Sequence, residues 1–259
     1  MKKLVALFLS LVLVLTCTAA LADLPVLVMG TNAAFPPYEF IGDDGQPTGI
    51  DIEIAEAVCA DMGYTLVVRD MEFDSIISDV QFGKIDFGMA GMTVTEERMQ
   101  FVNFSDSYAT GIQAVIVKEG SPITSVDDLF AEGANHKIGV QLSTTGDLYA
   151  TWDIEDAGLG TVMRYASGNE AVQDLALGRI DCVIIDNEPA KSYVAAIPGL
   201  VVLETSYAVE NYAACFNKED VELLNAFNAS LAKLTEDGTI PAIIEKYIPS
   251  ESAAETPAA

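Results

Sequence analysis

Apolar residues recur along this chain with two periods. Ile54, Ala55, Val58, Cys59 and Met62 are spaced as one face of a helix, as are Ile76, Ile77 and Val80. Short apolar runs at 26–29, 65–69, 85–89, 109–117, 137–140, 181–185, 200–203 and 212–216 read instead as strands. Helical patterns return over 171–177, 221–236 and 240–247, and Gly146-Asp147 opens one more. Asp51 stands where it can cap the first helix, Gly63 ends that helix, and Gly42-Asp43-Asp44-Gly45 is a turn. Strands alternating with helices predict an α/β fold of mostly parallel strands joined by helical crossovers.

The pattern contains an echo. Phe82-Gly83-Lys84-Ile85-Asp86 returns 95 positions later as Leu177-Gly178-Arg179-Ile180-Asp181. Each copy closes a helical stretch and opens a strand, which predicts two similar lobes. More helix follows the second copy, so lobe 2 (113–210) is expected as an insertion in lobe 1 (23–112 and 211–249). Two extended crossings, near 110–116 and 207–213, would form a hinge. In open α/β sheets ligands bind beyond the carboxyl ends of strands, and pockets favour domain interfaces.

The ends of the chain differ from the rest. Lys2 and Lys3 precede an apolar run over 4–15, and Ala20-Leu21-Ala22 offers a cleavage site, so residues 1–22 read as a signal peptide. The apolar run is too short to span a bilayer. The mature protein is therefore expected to be exported, periplasmic or extracellular. A lipid anchor at Cys17 is disfavoured, because Val14-Leu15-Thr16 lacks the usual small residue. Residues 250–259 read as a frayed tail. Of 13 basic residues, Lys2 and Lys3 go with the signal; the 11 that remain face 39 acidic ones, a net charge of −28. That excludes a useful basic patch and makes nucleic acid and anionic membranes poor partners. Cys59, Cys182 and Cys215 match no zinc spacing and read as buried free thiols. No cofactor or metal is expected.

Four strand-end loops should converge: 31–37, 91–95, 141–146 and the segment from Asp186. Gly91, Thr93 and Thr95 offer backbone groups and hydroxyls. Arg98 can grip a carboxylate bidentately. Ser143-Thr144-Thr145-Gly146 precedes a helix whose free N–H groups attract anions. Asp186 suits an ammonium, and Phe35 and Phe73, at loop positions, can flank a flat side chain. The set reads as a receptor for a zwitterion.

The chain resembles the extracellular solute-binding proteins of polar amino-acid ABC importers. The resemblance runs over about 24–247. Its carriers are Phe35-Pro36-Pro37-Tyr38-Glu39-Phe40, Gly49-Ile50-Asp51-Ile52-Glu53, Gly91-Met92-Thr93-Val94-Thr95-Glu96-Glu97-Arg98, Val102-Asn103-Phe104-Ser105-Asp106-Ser107-Tyr108, Gly139-Val140-Gln141, Thr144-Thr145-Gly146-Asp147 and Asp186-Asn187-Glu188-Pro189-Ala190. It implies a two-lobed, hinged, periplasmic-binding-protein-like fold of type II. It implies that Arg98 and the Thr93 and Thr145 amides hold an α-carboxylate. The Gly91 carbonyl, the Thr93 hydroxyl and Asp186 would hold the α-ammonium, Phe35 and Phe73 would flank the side chain, and Asn32 and Gln141 would read its tip. Met92 and Thr144 fall in the same ligand-binding segments. The chain departs from many members at Asn32, where they carry Asp, and at Ser143, where they carry Gly.

The expected function is delivery of a free amino acid to membrane permease subunits by a monomeric binding protein. Asn32 and Gln141 are neutral amides that donate and accept, which favours a glutamine-like side chain. Arginine or lysine is the alternative, with Glu39 or Glu188 facing the pocket and the aromatic pair stacking on the cation. An exported dehydratase-like enzyme would need a general acid or base in the cleft, and the single histidine, His136, lies in a polar turn.

Overall fold

The structure, a computed structural model, describes residues 24–203 and 207–249. The expected signal segment, Cys17 and the tail lie outside the described residues.

β1 (Val26–Thr31) is followed by a small antiparallel meander of β2 (Ala34–Phe35), β3 (Glu39–Ile41) and β4 (Pro47–Thr48), returning at the expected turn. α1 (Ile50–Asp61) buries Ile54, Ala55, Val58 and Cys59, the face read from spacing. β5 (Thr65–Asp70) runs parallel to β1 from Val26↔Thr65 to Thr31↔Asp70. α2 (Phe73–Gln81) crosses back, burying Ile76 and Val80, to β6 (Phe87–Gly88), parallel to β1 on its other side. β7 (Val102–Phe104) lies at the far edge, and β8 (Ala109–Lys118) leaves for the second lobe.

There the unit repeats. β9 (His136–Gln141), α3 (Thr145–Ala150), β10 (Gly160–Tyr165), α4 (Gly168–Ala176), β11 (Cys182–Asp186), α5 (Asn187–Ala196) and β12 (Leu200–Val202) follow in turn. The chain returns through β13 (Val209–Tyr212) and β14 (Cys215–Asn217) and ends in α6 (Val221–Glu236) and α7 (Thr239–Tyr247). The two large sheets run β5-β1-β6-β14-β7 and β10-β9-β11-β8-β12. Each has three parallel strands extended by antiparallel ones.

β8 and β13 are the two crossings. They pair antiparallel from Val209↔Ile112 to Tyr212↔Ala109, while the rest of β8 pairs with β11 and β12. The strand expected over 212–216 is broken: Thr93 bridges to Tyr212, and the Ala213 and Ala214 N–H groups donate to the Met92 carbonyl and the Ser105 hydroxyl. These partners belong to lobe 1, so the chain turns off one sheet before joining the other.

The echo has a physical cause. In each copy a glycine at positive φ, Gly83 at 64° and Gly178 at 71°, ends the helix. The aspartate then ties the incoming strand to its neighbour: Asp86 Oδ2 accepts from Val28 N at 2.6 Å, and Asp181 Oδ2 from Lys137 N at 2.7 Å. The basic residue pairs back to the helix, Lys84 to Asp79 at 2.6 Å and Arg179 to Asp174 at 2.8 Å. Phe87, Phe216 and Phe227 stack in the first core, and Val115, Ile138, Val140 and Ile184 fill the second. Cys59, Cys182 and Cys215 are buried and free. No helix among the described residues is long and apolar enough to cross a membrane.

Asp51 does not cap α1. Gly49 holds the N-cap position and the helix begins at Ile50. Asp51 turns inward instead, its Oδ2 accepting from Gly91 N at 2.8 Å and the Tyr108 hydroxyl at 2.7 Å. Phe73 is likewise not in a loop but opens α2.

Candidate functional site

The carboxyl ends of strands from both sheets close on a cavity. It is lined by Asn32, Phe35, Phe73, Gly91, Thr93 and Arg98 from one lobe and by Gln141, Thr144, Thr145 and Asp186 from the other. Met92 does not line it. Its side chain is fully buried in the core cluster that holds Ile76, Val80 and Cys215. Thr95 also stays off the wall, its hydroxyl accepting from Arg98 N at 3.1 Å. Glu39, Gln113, Ile184 and Ile185 join the lining. Gln113 had a signal, a lone amide inside the apolar run of β8.

Arg98 sits on a short 3₁₀ turn and is buried. Its Nη1 donates to the Thr93 carbonyl at 2.8 Å and its Nη2 reaches the Ser143 carbonyl of the opposite lobe at 3.0 Å. Its guanidinium lies 5.3 Å from the centre of the Phe73 ring. Burial lowers its pKa and the nearby Glu210 charge opposes that, yet guanidinium stays protonated in proteins. Thr145 opens α3, where first-turn N–H groups lack intrahelical acceptors. Thr144 caps that helix, accepting from Asp147 N at 3.3 Å.

Gly91 has φ 52°, and a Cβ there would stand 2.8 Å from Phe35 Cε1. Only glycine lets this backbone approach the aromatic wall. Ser143 adopts φ 64°, the left-handed region, although it is not glycine. Its amide donates to Asp147 Oδ2 at 3.0 Å, and Arg164 pins the other oxygen of Asp147 at 2.8 Å. Left-handed geometry costs a side chain about 1–2 kcal/mol, while glycine costs about 0.5–1 kcal/mol in unfolded-chain entropy. Ser143→Gly is therefore expected to stabilise the ligand-free protein by about 0.5–1 kcal/mol, read as a raised urea midpoint at unchanged slope. A lowered midpoint would mean that the Ser143 side chain itself supports the loop.

At one end of the cavity Asp186 closes β11. Its Oδ2 accepts from Gln113 Nε2 at 2.7 Å and its Oδ1 from the Tyr212 hydroxyl. Burial, reinforced by the charge of Glu210, pushes its pKa up to about 7. At the other end, Gln141 Nε2 donates to Asn32 Oδ1 at 2.9 Å and to the Ala166 carbonyl at 3.1 Å, and Asn32 Nδ2 donates to the Met71 carbonyl at 2.8 Å. Gln141 thus spends both N–H donors on protein, and Asn32 spends one of its two. Glu39, also in the lining, is buried beside Asp51, its Oε2 without a hydrogen-bond partner. Burial raises its pKa well above the ordinary carboxyl value, and the neighbouring Asp51 raises it further. Asp51 itself is pushed up to about 6 by burial, against the bonds from Gly91 and Tyr108.

Two lobes, joined by paired crossing strands and closed on a polar cavity at their strand ends, define a cleft-binding receptor of the periplasmic-binding-protein type. Residues 27–250 match the model of the bacterial extracellular solute-binding proteins, family 3, and the chain belongs to that family. It is 34% identical over 257 residues to an L-arginine-binding protein of Pseudomonas aeruginosa, covering 95% of this chain and 96% of that one. Among solved structures, an ancestral arginine-binding protein bound to arginine superposes with a TM-score of 0.81 at 38% identity, over 87% of this chain and 99% of the other. The same kind of ancestral protein bound to glutamine gives a TM-score of 0.81 at 37% identity, over 87% and 98%.

Proposed function

We propose that the protein binds a free L-amino acid with a cationic side chain, arginine above all, and passes it to the membrane permease subunits of an ABC importer. Arg98 and the Thr93 and Thr145 amides take the α-carboxylate; Asp186, the Thr93 hydroxyl and the Gly91 carbonyl take the α-ammonium; Phe35 and Phe73 flank the side chain. The observation that carries the choice of ligand is Glu39. It brings a buried carboxyl oxygen without a hydrogen-bond partner to the lining of the cavity. A guanidinium supplies donors to that oxygen, and its charge permits Glu39 to ionise. The arginine-binding relatives support the same choice. A glutamine-like side chain is the second reading, favoured by the ancestral relative bound to glutamine.

In this reading residues 1–22 are removed on export, the lobes divide at 112–113 and 210–211, and the mature protein is a monomer that performs no chemistry on its ligand. Closure follows from a ligand that touches both lobes, since only differential affinity shifts such an equilibrium.

The test is thermal unfolding of residues 23–259, refolded free of ligand, against each of the twenty amino acids. A ligand at 100 times its Kd adds about 2.7 kcal/mol, so the binder raises the midpoint. Arginine is expected to give the largest rise, and Glu39→Gln to weaken arginine by about 1.5–3 kcal/mol while leaving glutamine little changed. No rise with any amino acid overturns the reading; a rise with glutamine alone overturns the cationic choice.

A further inference from the structure

Glu210 was not marked by any sequence motif, yet it ties the whole floor of the cavity together. It lies on the crossing strand β13, is 3% exposed, and stands behind the wall without lining it. Its Oε2 accepts from the Thr93 hydroxyl at 3.0 Å, the Thr145 hydroxyl at 2.9 Å and Gln113 Nε2 at 3.0 Å. Thr93 comes from one lobe, Thr145 from the other, and Gln113 from the other crossing strand.

A carboxylate accepts only, and a hydroxyl has one proton to give. With that proton held by Glu210, Thr93 and Thr145 keep only lone pairs for other partners. Gln113 Nε2 is used up in the same way, one N–H on Glu210 and the other on Asp186 at 2.7 Å. Its Oε1 is left buried without a partner on a residue that lines the cavity. With Asp186 ionised, Thr93 Oγ1, Gln113 Oε1 and the Asp186 carboxylate therefore form a wall that can accept and cannot donate.

We infer that Glu210 is a positioning residue that fixes this acceptor-only wall, and so makes the site select a charged amino group over a hydroxyl or keto group at the same carbon. An ammonium brings three donors to the wall. A hydroxyl brings one and leaves buried acceptors unpaired, and it is this kind of loss that lets polar sites reject near-isosteres strongly. The inference rests on the amino-acid reading of the cavity and adds to it a residue outside the cavity wall.

The experiment compares the affinity for L-arginine with that for its 2-hydroxy analogue, by calorimetry, in wild type, Glu210→Gln, Thr93→Val and the double variant. Glutamine in place of Glu210 is isosteric but can donate, so the threonine hydroxyls turn their protons toward the cavity. Wild type is expected to prefer arginine at least a hundredfold. Glu210→Gln is expected to weaken arginine at least tenfold and the hydroxy analogue less than threefold, so that discrimination collapses. In the Thr93→Val background the same substitution should do markedly less, since its target is gone. Equal weakening of both ligands means that Glu210 only helps the lobes close, and overturns the inference; unchanged discrimination overturns it as well. Failure of wild type to bind any amino acid instead brings down the reading of the cavity, and this inference with it. A further measurement needs no variant. The Thr93 and Thr145 hydroxyl protons should exchange slowly enough to be observed by NMR in wild type, and free exchange counts against the inference.

Discussion

Arg98→Ala is expected to abolish measurable amino-acid binding while the protein still folds. The guanidinium is the cation of the cavity wall, buried between the Thr93 carbonyl, the Ser143 carbonyl and the Phe73 ring. A ligand carboxylate entering without it would be desolvated and unpaired. Breaking a buried ionic pair on one side costs about 3–5 kcal/mol, roughly a hundredfold to several thousandfold in affinity. Lysine is not expected to rescue it, because one ammonium cannot hold two carbonyls and a carboxylate as a planar fork does. The loss of the Ser143 bond adds a second effect, since that bond spans the cleft and favours closure. Calorimetry at high protein concentration, with circular dichroism to verify the fold, reads both. An affinity within threefold of wild type would remove Arg98 from the site.

The second large effect is on pH dependence through Asp186. In the ligand-free protein this carboxyl titrates at about 7, raised by burial first and the Glu210 charge second. An ammonium beside it favours the ionised form, so its pKa falls on binding. Below pH 7 the ligand must therefore displace a proton, and affinity falls by up to about tenfold for each pH unit until the bound-state value is reached. Above 7 the curve flattens. The sign for folding is the reverse. With a folded pKa above the unfolded one, this group's contribution to ligand-free stability is full at acid pH and is lost as the pH rises through 7. Asp186→Asn is expected to weaken arginine binding at pH 7.5 by a hundredfold or more and to remove this limb of the pH profile. It should weaken deaminated analogues far less. Proton release on binding, measured in buffers of different ionisation enthalpy, should fall in the variant by the share that Asp186 contributes, leaving that of Glu39. A pH limb of the same size in Asp186→Asn would assign the titration to the Glu39–Asp51 pair.

Much of this was legible in the chain because it depends on local periodicity and on repetition. The helical faces of α1 and α2, the parallel strands and the echo at Asp86 and Asp181 follow from spacing, since period and turn chemistry act within a few residues. The strand-end rule then placed Asn32, Thr93, Gln141, Thr145 and Asp186 near one another. Errors arose where direction mattered more than position. Met92 sits between two lining residues but faces the core. Asp51 sits where a cap belongs but turns inward to Gly91 and Tyr108. Phe73 begins a helix instead of standing in a loop.

Sequence by itself determined the α/β class, the two-lobed plan, the duplicated unit and the loops that meet, because these are set by the order of apolar and turn residues. Tertiary structure alone decided what the cavity wall can donate or accept. Asn32 and Gln141 looked like free amides, yet Gln141 spends both donors on Asn32 and a backbone carbonyl and Asn32 spends one of its two. Glu39 keeps a bare oxygen, and Glu210, 117 positions from Thr93, holds that hydroxyl's proton. Hydrogen-bond capacity is a local property of each side chain, but what remains of it for a ligand depends on neighbours brought together from distant parts of the chain.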